Sequence, residues 1–492
     1  MKKLLTVALM LLLLASCTVK IGSVKEEDIF PSIYPDYVDV TVPVGIAPLN
    51  FNMSDRSARK LDVILSGSGQ KRIHVQGNNL ADFPIKAWRS LLAENAGGAV
   101  NVEVKAEFAD GWHSYKPFKI HVSKDEIEYG IAYRLISPGY EAFSRIGIYE
   151  RDLSSFRERA LIETTQMDEC VNCHAFKKCD PDYMNLHVRG PYGGTFIRSG
   201  GDLQLFDSRT DSTLASCVYP YWHPTGRYIA YSTNRSLQGF HQRPDKVLEV
   251  YDGASDILVY DTEKNEIIDV PELKREDVLE NMPVFSADGR TVYYTAATQR
   301  SLENEIFDVR YNLCRVDFDP ETGVLGRQTD TVIFAEGVGK SVSFPKPSYD
   351  GKWLMYQLAD YGCFGAWHHE SDLWLLNLET GETRSLDRAN SDDAESAHSW
   401  SANSRWFVFG SRRDDGLHTR AYICHIDENG GCGKPFMLPQ KNPRKFYDAK
   451  MKSYNIPEFV SLPVDFVGRK AVRMLKDSKR IKFGYRSNYS EQ

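Results

Sequence analysis

The 492-residue chain has no G-x-S-x-G nucleophile elbow, no H-E-x-x-H and no phosphate-binding P-loop. It therefore lacks the usual sequence signatures of α/β-hydrolases, zinc proteases and nucleoside-triphosphate enzymes. Basic blocks are absent and the net charge is −7, which argues against nucleic acid as a partner. The longest apolar run, residues 4–14, is too short to span a bilayer, and no other segment is long and apolar enough. Of nine cysteines, the six at 179, 217, 314, 363, 424 and 432 are too sparse for a disulfide framework in a chain of this length.

What is present leans to β-structure. The apolar fraction is an ordinary 42%, with 26 Tyr and 24 Phe. Lys2 and Lys3 precede the apolar run, and Leu14-Ala15-Ser16-Cys17 follows it. This segment resembles a bacterial lipobox. The resemblance implies removal of residues 1–16, lipidation of Cys17 and a membrane anchor made stable by several acyl chains. The location it implies is the envelope of a Gram-negative bacterium, periplasmic or surface-exposed, anchored to the outer membrane or else the inner one, with envelope proteins as partners.

Cys170-Val171-Asn172-Cys173-His174 carries the chemistry. C-x-x-C-H is the spacing at which two thiols add to the vinyl groups of a haem while the adjacent His binds iron. The reading is haem c on Cys170 and Cys173 with His174 proximal. His187 or Met184 then takes the sixth position, with Met167 a weaker choice. The rival is zinc on Cys170, Cys173, Cys179 and His187, a Cys3His set with one C-x2-C pair. A Cys170–Cys173 redox disulfide stays open beside these. Cys424 and Cys432 flank a Gly-rich turn and are either bridged or free buried thiols.

The organisation expected is all-β. Residues 17–33 form a polar tether. Period-two runs such as Val100-Asn101-Val102-Glu103-Val104 make 34–123 a small Ig-like β-sandwich. Residues 124–192 form a short helical or irregular linker with the C-x-x-C-H segment. Within it, Arg151 to Thr165 is a helix started by Asp152 or Ser154. From 193 to 440 a unit repeats: an aromatic or apolar residue, a turn and an apolar strand. The copies are Trp222-His223-Pro224-Thr225-Gly226, Phe285-Ser286-Ala287-Asp288-Gly289, Pro347-Ser348-Tyr349-Asp350-Gly351 and Trp400-Ser401-Ala402-Asn403-Ser404. Each unit is a small antiparallel sheet that cannot bury both faces alone, and radial stacking into a β-propeller of five or six blades solves that. The extension 441–492 packs on the propeller or closes it.

These repeats resemble the blades of TolB-type propellers, with their W-S-P-D-G-like turn before an apolar strand. The order of lipobox, β-domain, C-x-x-C-H and blades resembles a family of Gram-negative TolB-like or cytochrome-c-related lipoproteins. Asn172-Cys173-His174-Ala175-Phe176, Leu186-His187-Val188-Arg189-Gly190 and Ser453-Tyr454-Asn455-Ile456-Pro457-Glu458-Phe459 add to that resemblance. Three functions follow: electron transfer or redox sensing through haem c, a protein- or glycan-binding scaffold whose Cys/His segment is a staple, or a haem-dependent oxidoreductase. His223, His368, His369 and His398 lie in or near blade turns, where they either line the propeller mouth or stitch blades together. Glu370, Asp372, Asp392, Asp393 and Glu395 share those loops and are either acid–base groups or solvated acids.

Overall fold

The computed structural model describes residues 21–137, 145–167, 169–243, 246–299 and 306–487. The leader and Cys17 lie outside the described residues. The chain divides into two compact units. The first comprises residues up to Lys124 with Pro439–Asp448, and the second Asp125–Leu438 with residues from Ala449 onward.

The first unit corrects two expectations. Among the described residues, seven of its strands form one sheet, Ile33–Tyr34 pairs with Asn52–Met53, and Phe51 bridges Ala81. Residues Ile85–Glu94 fold as a helix that buries Trp88, Leu91 and Leu92. The spacing of those three is the i, i+3, i+4 stripe of an amphipathic helix. The helix thus supplies apolar surface that a second sheet would bring, and an Ig-like sandwich is not formed. The tether is also shorter than expected, because Val24–Glu27 pairs in parallel with Gly111–Tyr115. Segment 439–448 joins this unit through Asn50, whose Nδ2 donates to the Lys441 carbonyl at 2.9 Å.

The second unit is a six-bladed β-propeller. Blade 1 has the order Ser453–Val460, Gly130–Ile136, Gly147–Asp152, Glu158–Glu163 from axis to rim. Its inner strand comes from the end of the chain and the others from the beginning of the unit, which closes the ring. Blade 2 is Cys170–Lys177, Asp180–Arg189, Gly194–Ser199, Gln204–Asp207, and blade 3 is Cys217–Trp222, Tyr228–Arg243, Lys246–Asp261, Glu266–Asp269. Blades 4, 5 and 6 begin with the inner strands Val278–Phe285, Ser341–Pro347 and Glu395–Trp400.

After its closing strand the chain forms the helix Gly468–Asp477. It then pairs in parallel with the outer edges of blades 2 and 3, at Phe206↔Ile481 and Glu266↔Gly484. Two sheet edges are covered in this way. Phe483 locks the tail by stacking on Tyr260, with ring centroids 3.8 Å apart.

The propeller therefore does not start at 193. The stretch 124–192, expected as linker, supplies three strands of blade 1 and two of blade 2. The expected helix over 151–165 is the turn and outer strand of a hairpin. Asp152 holds the turn by accepting from the Ser154 N–H (2.8 Å) and the Ser155 hydroxyl (2.7 Å). An Asp that starts a helix and an Asp that folds an Asx turn look alike in sequence.

Blades interlock through apolar layers. One such layer joins blades 1 and 2 through Ile148, Val171, Met184, Leu186, Val188 and Phe196. Polar side chains add stitches between neighbouring turns. His223 Nε2 meets the Gly289 carbonyl at 3.0 Å, and Trp400 Nε1 donates to the Lys346 carbonyl at 2.8 Å.

Candidate functional site

Every inner strand carries one non-glycine residue with left-handed backbone. These are Ile456 (φ 48°), Cys173 (47°), Tyr219 (50°), Met282 (52°), Phe344 (48°) and Ala397 (49°), in blades 1 to 6. In each blade the ladder slips here, so that two inner-strand residues oppose one on the neighbour; Cys173 and His174 together oppose Leu186. This is a β-bulge repeated six times about the axis. The residue after the left-handed one is Pro457, His174, Pro220, Pro283, Pro345 or His398. A bulge leaves a backbone N–H out of the ladder, which is why proline is tolerated at the position. Cys173-His174 is thus the blade 2 copy of a structural device.

The bulges form a waist. On one side lies a funnel of about 1410 Å³, lined from five blades by residues including Arg134, Cys170, His187, Tyr219, Trp367 and Thr419. Part of its wall is the blade 3 hairpin, whose strands Tyr228–Arg243 and Lys246–Asp261 are 16 residues each, far longer than the other blade strands. The waist itself encloses only about 40 Å³, lined by His174, Met282, Phe344 and His398 among others. Lys346 and Glu458 line it too, with Lys346 Nζ 3.9 Å from Glu458 Oε1. Burial pushes the Glu458 carboxyl up to about 7 against the pull of Lys346.

The residues expected to hold haem do not converge on one group. In a helix, i, i+3 and i+4 share a face, and a thiol–thiol–imidazole set would converge. Here the segment is extended. Cys170 lines the funnel and Cys173 both the funnel and the waist, whereas His174 lines only the waist, where the space is too small for a porphyrin. Burial pushes the His174 imidazole down to about 4. Met184 is fully buried in the layer between blades 1 and 2 and faces away from the funnel. His187, on the opposite face of that strand, does line the funnel, with Nδ1 3.0 Å from Thr195 Oγ1. Burial, reinforced by Arg189, lowers it to about 3.

The zinc set fails on distance. Cys170 opens the inner strand and Cys179 follows its far end, which at ~3.3 Å per residue separates them by more than ~20 Å. Among the described residues no three His, Cys, Asp or Glu side chains group as a metal site. Cys424 and Cys432 are neighbouring free thiols, and Cys424 Sγ donates to the Gly433 carbonyl at 3.3 Å.

A second cluster braces the long hairpin. Glu249 accepts from the Tyr361 hydroxyl at 2.5 Å and pairs with His368 Nε2 at 2.9 Å, while His368 Nδ1 lies 3.5 Å from Glu370. Burial opposes charge on His368, but Glu249 and Glu370 outweigh it and raise its pKa. Glu395 is fully buried and paired with Arg413 at 3.0 Å. His398 Nε2 meets the Met355 carbonyl at 3.1 Å, a blade-to-blade stitch.

Sequence reasoning missed Arg134 and Tyr219, which share the funnel with Cys170. Arg134 carries no local signal. The bulge had one: aligning Phe459, Phe176, Trp222, Phe285, Pro347 and Trp400, at or next to the ends of the inner strands, would have set His174 beside four prolines.

No protein-family model matches the chain, and no curated protein does. Among solved structures, the β-propeller domain of the trilobed protease from Pyrococcus furiosus is 11% identical. It matches over 84% of this chain and 99% of its own, with a TM-score of 0.33. A DUF4784 family protein from Bacteroides caccae is 9% identical over 74% of this chain and 97% of its own, with a TM-score of 0.31. Prolyl oligopeptidase B from Galerina marginata is 11% identical over 62% of this chain, with a TM-score of 0.36, and this chain covers 44% of its length. Likenesses of this size concern the propeller fold and carry nothing about activity.

Proposed function

We propose that this chain is a non-enzymatic binding propeller of the cell envelope, with the axial funnel as its ligand site. The observation that carries the reading is the funnel itself. It is about 1410 Å³, opens on the axis and mixes apolar walls with side chains that hydrogen-bond. That is the form small-molecule sites take. Compounds that bind there stabilise the folded chain by mass action, a few kcal/mol at ~100-fold excess over Kd. Differential scanning fluorimetry against a small-molecule panel is expected to give hits whose thermal shift disappears in Val250→Trp, which fills the funnel from the hairpin wall. Hits unaffected by that change would sink the reading.

Tethering rests on the lipobox-like residues alone. Labelled palmitate is expected to enter the wild-type protein in cells and not Cys17→Ser, which should be recovered in the soluble fraction. For the C-x-x-C-H segment the bulge argument predicts a scaffold role. A pyridine haemochrome assay on exported protein from a host competent in haem attachment is expected to show no covalent haem. A band that survives denaturation and vanishes in Cys170→Ala/Cys173→Ala would restore haem c and electron transfer as the function.

A further inference from the structure

We propose that the funnel selects an anion-bearing small molecule, a carboxylate or a phosphate, which it grips through Arg134. The inference deepens the binding-propeller reading and rests on it.

Arg134 projects from the second strand of blade 1 into the funnel wall. Several other guanidinium groups of the propeller face a buried carboxylate: Arg227 with Asp261 at 2.8 Å, Arg159 with Glu150 at 2.8 Å, Arg413 with Glu395 at 3.0 Å. Arg134 has no such counter-ion among the described residues. Its Nη1 donates to the side-chain oxygen of Asn172, and its Nε is sealed from solvent with no hydrogen-bond partner. Its titratable neighbours are a second cation, Arg189, and the side chains of Cys170, Cys173 and Tyr219.

Arginine stays charged in proteins, and one held this way has little of its hydration; a buried charge without an opposite one is costly. An anion entering the funnel removes that cost. The planar fork matches carboxylate or phosphate oxygens two at a time. The wall carries two carboxylates of its own, and both are engaged locally. Glu169 accepts the Tyr192 N–H at 3.1 Å and Asp207 the Arg209 N–H at 3.1 Å. Arg189 and Arg209 stand exposed at the same wall, without an ion-pair partner among the described residues, and raise the local potential for an incoming anion.

Cys170 is half-buried and lines the same wall, so its alkylation reports occupancy. The test uses the full chain, inorganic phosphate and succinate as probes, and cellobiose as a neutral control, at matched ionic strength. Iodoacetamide labelling is read on the peptide containing Cys170. Phosphate or succinate is expected to slow labelling at least about threefold and to raise the melting temperature. In Arg134→Gln both effects should vanish, whereas Arg134→Lys, which keeps the charge but loses the fork, should keep part of them. Circular dichroism confirms that each variant is folded, and Arg134→Lys decides the matter if Arg134→Gln is not. Protection that persists unchanged in the folded Arg134→Gln variant overturns the proposal. Protection by cellobiose with none by either anion overturns the anion and leaves the binding funnel standing. No protection by any probe removes both.

Discussion

Truncation after Lys452 is expected to abolish the cooperative unfolding transition of the propeller. The missing segment includes Ser453–Val460, the inner strand of blade 1, which pairs with Gly130–Ile136 along its length. It also removes Tyr454, Phe459, Val460, Val464, Phe466 and Leu475 from the interior. At about 1.5–3 kcal/mol for each large apolar side chain, this loss rivals the whole ~5–15 kcal/mol by which a domain is stable. An open ring also exposes the inner edge of Gly130–Ile136, a template for aggregation. Truncation after Asp477 is the contrast. It keeps the closing strand and removes only the two short edge strands, so a folded monomer with a lowered melting temperature is expected. Thermal melts by circular dichroism, with gel filtration, distinguish the outcomes. Equal stability of the two truncations would show that the ring is not closed by that strand.

His368→Gln is expected to destabilise the protein by about 3–5 kcal/mol near pH 5.5, because it withdraws the cation from the buried carboxylate of Glu249. The pH dependence follows from two shifts. His368 has a folded pKa above its ordinary value near 6.5, so its contribution is complete below about pH 6.5 and fades as pH rises through the folded value. Burial alone would raise Glu370, but His368 and backbone N–H groups bring it down to about 2. Its contribution is complete above about pH 4.5 and fades as pH falls towards 2. The cluster therefore stabilises most between about pH 4.5 and 6.5, and the gap between wild type and variant should narrow by pH 9. Urea titrations at pH 5.5 and pH 9 check this. A gap that is constant with pH would mean that His368 acts by packing alone.

The structure also shows why some of the chain could be read from its residues and some could not. The blade turns at Gly226, Gly289 and Gly351 need left-handed backbone (φ 84°, 71° and 74°), and glycine before an apolar strand advertises that need. Ser404 holds the fourth such turn at φ 59° without glycine, and the aromatic residues around it still reveal the unit. The helix of the first unit was hidden because its ten residues sit among period-two strands, and only their packing decides the period. The six bulges were hidden for a different reason. Their residues, Cys, Tyr, Met, Phe, Ala and Ile, share no chemistry. What they share is a backbone conformation imposed by the crowding of six strands at one axis.

By itself, the sequence determined the all-β class and the propeller, because amphipathic strands that cannot bury both faces must stack, and turn residues mark each repeat. Only the tertiary structure decided that Cys170-Val171-Asn172-Cys173-His174 lies on the bulged inner strand of blade 2. Five residues at haem spacing would converge on a helix but diverge on a strand, and it was the ring of inner strands that made them a strand. It likewise brought Arg134 to Cys170 across two blades, a proximity that the packing of neighbouring blades creates and no local pattern encodes.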